Sequence, residues 1–124
     1  MNHLAEIIMD RLVDMTRERP MFVHFDSIGL LYLGNKNQDR LKCFDAILNG
    51  VAESGGNLIV PVFSYSFCQR NVFNVDRSPT TLGESHEFLR KRNLGKRTSD
   101  GIFSYLVFGS HPVFSPHLEK RKVQ

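Results

Sequence analysis

Apolar positions along this chain fall into two patterns, helical spacing and short unbroken runs. Leu4, Ile8, Leu12 and Met15 are spaced 4, 4 and 3 residues apart, and Glu6, Asp10 and Asp14 fall between them. That spacing predicts an amphipathic helix over residues 3–17. It ends at Arg19-Pro20, because the residue before a proline avoids the helical region. Leu41, Phe44, Leu48 and Val51 recur at 3, 4 and 3 and predict a second helix over 39–54, stopped by Gly55-Gly56 in a left-handed turn. Leu58 to Val62 is an unbroken apolar run entered from those glycines, the pattern of a strand buried on both faces. Met21–His24 and Ile102–Phe108 are two further strand candidates. Between them a third helix is expected, with Thr81 and Glu84 at capping-box spacing, Leu82, Phe88 and Leu89 as its apolar side, and Gly95 as its end.

Strand, helix and strand joined by short connectors make residues 21–63 one βαβ unit, with its two strands parallel. Leu30 to Leu33 reads as a loop packed on the core. The expected fold is one α/β domain over residues 1–124, a layered α/β/α arrangement. Met21–His24, Leu58–Phe63 and Ile102–Phe108 would share one mainly parallel sheet. Such sheets hold ligands beyond the carboxyl ends of their strands. The first strand breaks into Asp26, Ser27 and Gly29, and the second into Ser64, Tyr65, Ser66 and Cys68 with Phe63 and Phe67 interleaved. Those two ends are where a site is expected.

Composition narrows the function classes. With 124 residues, 41% hydrophobic and 23% charged, the chain has the makeup of an ordinary globular domain. Its excess charge of +3 is local. Arg90, Lys91, Arg92, Lys96 and Arg97 form one cluster, and Lys120, Arg121 and Lys122 form a tail. Each is either solvated surface or a contact for an anionic partner, and Arg90 to Arg92 also suit the end of a helix dipole. No nucleic-acid motif accompanies the charge, so a nucleic-acid partner is not expected. Two cysteines, Cys43 and Cys68, make neither a disulfide framework nor a metal-ligand pair, which fits a reduced cytoplasmic setting. Acidic residues in the first turns argue against a secretory signal. No apolar run approaches the ~18 residues of a membrane span, so no membrane partner is expected.

The assembled segments resemble one family. Pro61-Val62-Phe63-Ser64-Tyr65-Ser66-Phe67-Cys68, then Phe73-Asn74-Val75 and Arg77-Ser78-Pro79, look like the signature run of aminoglycoside 3-N-acetyltransferases and their amino-sugar relatives. Val23-His24 with Gly29, Leu82-Gly83-Glu84 through Phe88-Leu89-Arg90, and Arg97-Thr98-Ser99-Asp100-Gly101-Ile102-Phe103-Ser104 are similar to further family segments in the same order. The likeness spans residues 3 to 110 approximately. Phe25 stands where the family usually has a small residue, and Gly101 where it usually has proline.

The resemblance implies an acetyl-CoA (coenzyme A) dependent transfer to an amino group of an aminoglycoside or amino sugar. Members continue past the length of this chain, and their downstream part carries the histidine and acidic residue that activate the amine. His86, His111 and His117 match no such motif. The expectation is therefore an N-terminal, cofactor-binding part with little or no turnover alone, able to form a homo-oligomer through apolar surface. The alternative is a non-catalytic coenzyme A- or partner-binding module on the same fold.

Coenzyme A is expected to touch Asp26, Ser27, Ser64, Tyr65, Ser66, Arg97 and Ser104. Ser64 and Ser66 alternate with aromatics, so both hydroxyls fall on one side of an extended segment. They would bond the pantetheine amides or the thioester; otherwise they bond local backbone. Asp26 and Ser27 pose the same choice at a turn. Arg97 offers a forked guanidinium to a phosphate or else forms a surface ion pair. Ser104 reaches the cofactor or sits in the sheet. His24, on a strand, reads as a core residue before a catalyst. Cys68 lacks a sequence partner that would lower its thiol pKa and is not expected to be a nucleophile.

Overall fold

The computed structural model describes residues 2–25, 28–64, 73–92, 96–100 and 103–118. Among these residues, four helices, two short 3-10 turns and a three-stranded sheet of order β1-β2-β3 give a mixed α/β class. The chain divides into two compact units. One comprises residues 1–59 and 108–111; the other comprises 60–107 and 112–124.

The first unit begins with α1, His3–Thr16. The Asn2 side chain caps it by accepting the Ala5 N–H at 2.8 Å. Its buried residues are Ala5, Val13 and Thr16. The expected apolar face is packed only in part: Ile8 and Leu12 are half-buried, but Leu4 is 42% and Met15 57% exposed. Small residues decide the seat. Ala5 is completely buried, and the Met9 thioether lies where a side chain on Gly50 would stand, so α1 approaches α2 across small residues.

Helix α2, Asn37–Glu53, matches its spacing. Leu41, Phe44, Leu48 and Val51 are all buried, together with Ile47. Arg40 turns back to donate to the carbonyls of Gly34 (2.8 Å) and Asn35 (3.0 Å), fixing the helix entry. Gly55, at φ +91°, ends the helix as the glycine pair predicted. The expected loop at Leu30–Leu33 forms a 3-10 turn over Gly29–Leu33, with Leu30 and Leu33 buried.

Strand β1 is only Met21–Phe22, shorter than the expected Met21–His24, and both residues are exposed. It pairs parallel with β2, Leu58–Pro61, in the register Met21 to Leu58 and Phe22 to Ile59. The parallel βαβ pairing thus stands. Leu58 and Val60 are completely buried, as the unbroken apolar run required.

Asn57 fastens this unit. Its side-chain amide donates to the carbonyls of Thr16 (2.9 Å) and Arg17 (3.2 Å), its N–H donates to the Thr16 hydroxyl, and its Oδ1 accepts the His111 N–H at 3.0 Å. One buried side chain therefore ties the end of α1 to the start of β2 and to residue 111. Gly109, at φ +115°, passes so close to the Gly56 carbonyl and the Asn57 side chain that no Cβ would fit.

In the second unit, α3 spans Glu84–Arg92 and β3 spans Tyr105–Phe108, its first three residues in this unit. The capping box expected at Thr81 does not form. The helix begins at Glu84, the Thr81 N–H donates to the Phe63 carbonyl at 2.9 Å, and the Thr80 hydroxyl bonds the same oxygen at 2.8 Å. Of the expected apolar side of α3, only Leu89 is buried, and the buried residue beside it is Arg90. Ile102 and Gly95 lie outside the described residues. No helix among the described residues is long and apolar enough to cross a membrane.

Candidate functional site

The second unit has a polar centre. Ser64, Ser78, Thr80, Arg90, Arg97, Thr98 and Ser104 are all buried there. Residues 96–98 run antiparallel to β3, bridged at Arg97 and Leu106. The Thr98 N–H donates to the Tyr105 carbonyl at 2.7 Å, and the Val107 N–H to the Lys96 carbonyl at 2.9 Å. This short ladder projects the Arg97 side chain inward, where 1% of the residue remains exposed.

Arg97 donates from each of its three side-chain nitrogens. Nε donates to Ser104 Oγ at 3.0 Å, Nη2 to the Val62 carbonyl at 2.9 Å, and Nη1 to the Ser78 carbonyl. The Ser104 hydroxyl in turn donates to the Val62 carbonyl at 3.0 Å. The Phe73 ring lies 4.9 Å from the guanidinium carbon, within cation–π range. These three acceptors are uncharged. Burial and the nearby Arg90 charge lower the Arg97 pKa to about 10, against a smaller opposing pull from Glu87. The residue therefore remains a cation at neutral pH.

Arg90 and Glu87 form a second node in the same unit. Arg90 Nε meets both Glu87 oxygens, at 2.9 and 3.0 Å, its Nη2 also contacts Glu87, and its Nη1 donates to the Asp76 carbonyl at 3.1 Å. Glu87 also accepts the Thr80 N–H at 2.7 Å. Burial raises the Glu87 pKa, but the Arg90 and Thr80 hydrogen bonds and the Arg90 and Lys91 charges outweigh it, leaving it below the ordinary carboxylate value.

Of the seven residues expected to touch a cofactor, Asp26, Ser27, Tyr65 and Ser66 lie outside the described residues, as does Cys68. The other three fall in one unit. Arg97 and Ser104 are in direct contact, both bond the Val62 carbonyl, and Ser64 follows two residues later. Arg97 is buried and forms no ion pair among the described residues, and Ser104 is buried beside it.

The expected cation cluster is split. Arg90 and Arg97 turn inward, leaving Lys91, Arg92 and Lys96 exposed. His24, expected in the core, is exposed beyond the shortened β1. Comparison with protein families, curated proteins and solved structures finds no match to this chain. The sequence did not single out Glu87, and it placed Phe73 and Ser78 in the signature run without a contact to Arg97. The i, i+3 spacing of Glu87 and Arg90 was the available signal; the Ser78 carbonyl, a main-chain group, left none.

Proposed function

We propose that this chain is the cofactor-binding part of an acetyl-CoA dependent N-acetyltransferase acting on an amino group of an aminoglycoside or amino sugar. The reading takes the mixed α/β elements as the N-terminal portion of a layered α/β/α fold in a cytoplasmic protein. It rests on the resemblance carried by Pro61 to Cys68, and one observation supports it. The two segments that the resemblance assigns to the cofactor, around Ser64 and from Arg97 to Ser104, converge at the Val62 carbonyl although they are far apart in sequence.

The donor set suits coenzyme A chemically. A guanidinium matches a phosphate, and serine hydroxyls match pantetheine amides. In this conformation, however, the Arg97 fork and the Ser104 proton are spent on the protein itself. These residues would hold and orient the cofactor; no general base for the acceptor amine is assigned.

Titration calorimetry with coenzyme A at two salt concentrations tests the reading. The expected result is saturable binding that weakens with salt, since phosphate contacts are screened. Absence of binding at both concentrations would contradict it. A partner-binding module is the second reading, favoured by Met21 and Phe22, which are exposed on the two-residue strand β1.

A further inference from the structure

We infer that residues 73–81 form a strap that gates Arg97, and that an anionic ligand phosphate takes the place of the Ser78 carbonyl on the guanidinium when the strap lifts. This deepens the coenzyme A reading and rests on it. Two observations carry the inference. Arg97 is a buried cation whose three hydrogen-bond acceptors are all neutral oxygens. A guanidinium bonds an anionic oxygen more strongly than a neutral carbonyl. One of those acceptors, the Ser78 carbonyl, belongs to the segment that covers it, so strap and phosphate compete for the same donor.

The strap is also built to come away. Between Phe73 and Thr81 the buried residues are Ser78 and Thr80, both polar. Phe73 and Val75 are half-buried, and the attachments among the described residues include hydrogen bonds: Thr80 and Thr81 to the Phe63 carbonyl, Thr80 N–H to Glu87, the Asp76 carbonyl to Arg90 and the Ser78 carbonyl to Arg97. Phe73 adds a ring contact over Arg97. Within the strap, the Asn74 side chain accepts the N–H groups of Asp76 (2.9 Å) and Arg77 (3.1 Å), and the Asn74 carbonyl accepts the Ser78 N–H at 2.8 Å. Segments with few apolar anchors open at low free-energy cost. A ligand whose site is covered binds with an affinity reduced by the fraction of open molecules.

Asn74→Ala and Thr80→Val loosen the strap without touching Arg97. Coenzyme A binding by calorimetry is combined with amide hydrogen exchange of Thr80 and Thr81, whose N–H groups fasten the strap to Glu87 and to the Phe63 carbonyl. Inorganic pyrophosphate serves as a second probe. The expected result is that coenzyme A speeds exchange at the two amides and that each variant binds it about five-fold more tightly than the parent chain. Binding that leaves both exchange and variant affinity unchanged overturns the gate while leaving the cofactor reading in place. If coenzyme A binds to none of the proteins, the cofactor reading falls, and pyrophosphate then decides the gate. Faster strap exchange with pyrophosphate upholds it for another anion, and unchanged exchange overturns it.

Discussion

Arg97 decides the local structure of the second unit through three hydrogen bonds to two carbonyls and one hydroxyl. Its truncation takes the donor from the Ser78 carbonyl in the interior, where an unpaired polar group is costly, while the Val62 carbonyl keeps the Ser104 hydroxyl. Arg97→Ala is expected to lower unfolding free energy by about 3 kcal/mol or more, and Arg97→Lys to recover part of it, because one ammonium cannot reproduce the fork. Urea denaturation of both variants checks this; a loss under about 0.5 kcal/mol for Ala, the range of ordinary surface changes, would contradict it. In the first unit, Asn57→Ala removes three side-chain hydrogen bonds at once and should cost about 2–3 kcal/mol. The sequence singled out Arg97 because it precedes a strand and has no helix to cap. Its inward direction was not legible: neighbouring Lys96 and the cations of α3 made the stretch read as surface charge, and only the bridge to Leu106 turns the side chain in.

Among the elements, α2 was readable and α1 was misread for a physical reason. Where large residues fill the interface, as at Leu41, Phe44, Leu48 and Val51, periodicity finds the packed face. Where the interface is made of Ala5 and Gly50, Leu4 and Met15 beside it stay exposed. Leu4→Ala should therefore change stability by less than about 0.5 kcal/mol, and Ala5→Leu should cost about 1–3 kcal/mol by overpacking. Thermal unfolding of the two variants separates the faces, and the reverse order would restore the expected one. Helix α3 carries a pH dependence. The folded-state pKa of Glu87 lies below its ordinary value of 4.5, so its contribution is fully present above that value. It is lost as pH falls through the lower, folded-state pKa. Glu87→Gln should be less stable at neutral pH, with the difference shrinking as pH falls below about 4. Denaturant midpoints between pH 7 and pH 3 test the sign; a difference that grows towards acid would refute it.

For the whole molecule, the sequence revealed the mixed α/β class, the parallel pairing of the first two strands and the buried second strand. Strand lengths were less legible. Met21–His24 alternates too little to show that the ladder stops at Phe22: the Val23 N–H still donates to the Ile59 carbonyl at 2.8 Å, but the next donor position on β2 is Pro61, which has no N–H to continue the pairing. The candidate site was legible as segments rather than as contacts. Ser64, Arg97 and Ser104 were named individually, but their meeting at the Val62 carbonyl depends on main-chain groups that carry no sequence signal. The proposed binding of coenzyme A at this polar centre is tested most directly by a coenzyme A titration followed by backbone amide chemical shifts. Saturable shifts concentrated at residues 62–64, 74–81 and 96–104 are expected. Shifts confined to residues 2–59, or none at saturating coenzyme A, would contradict the proposal.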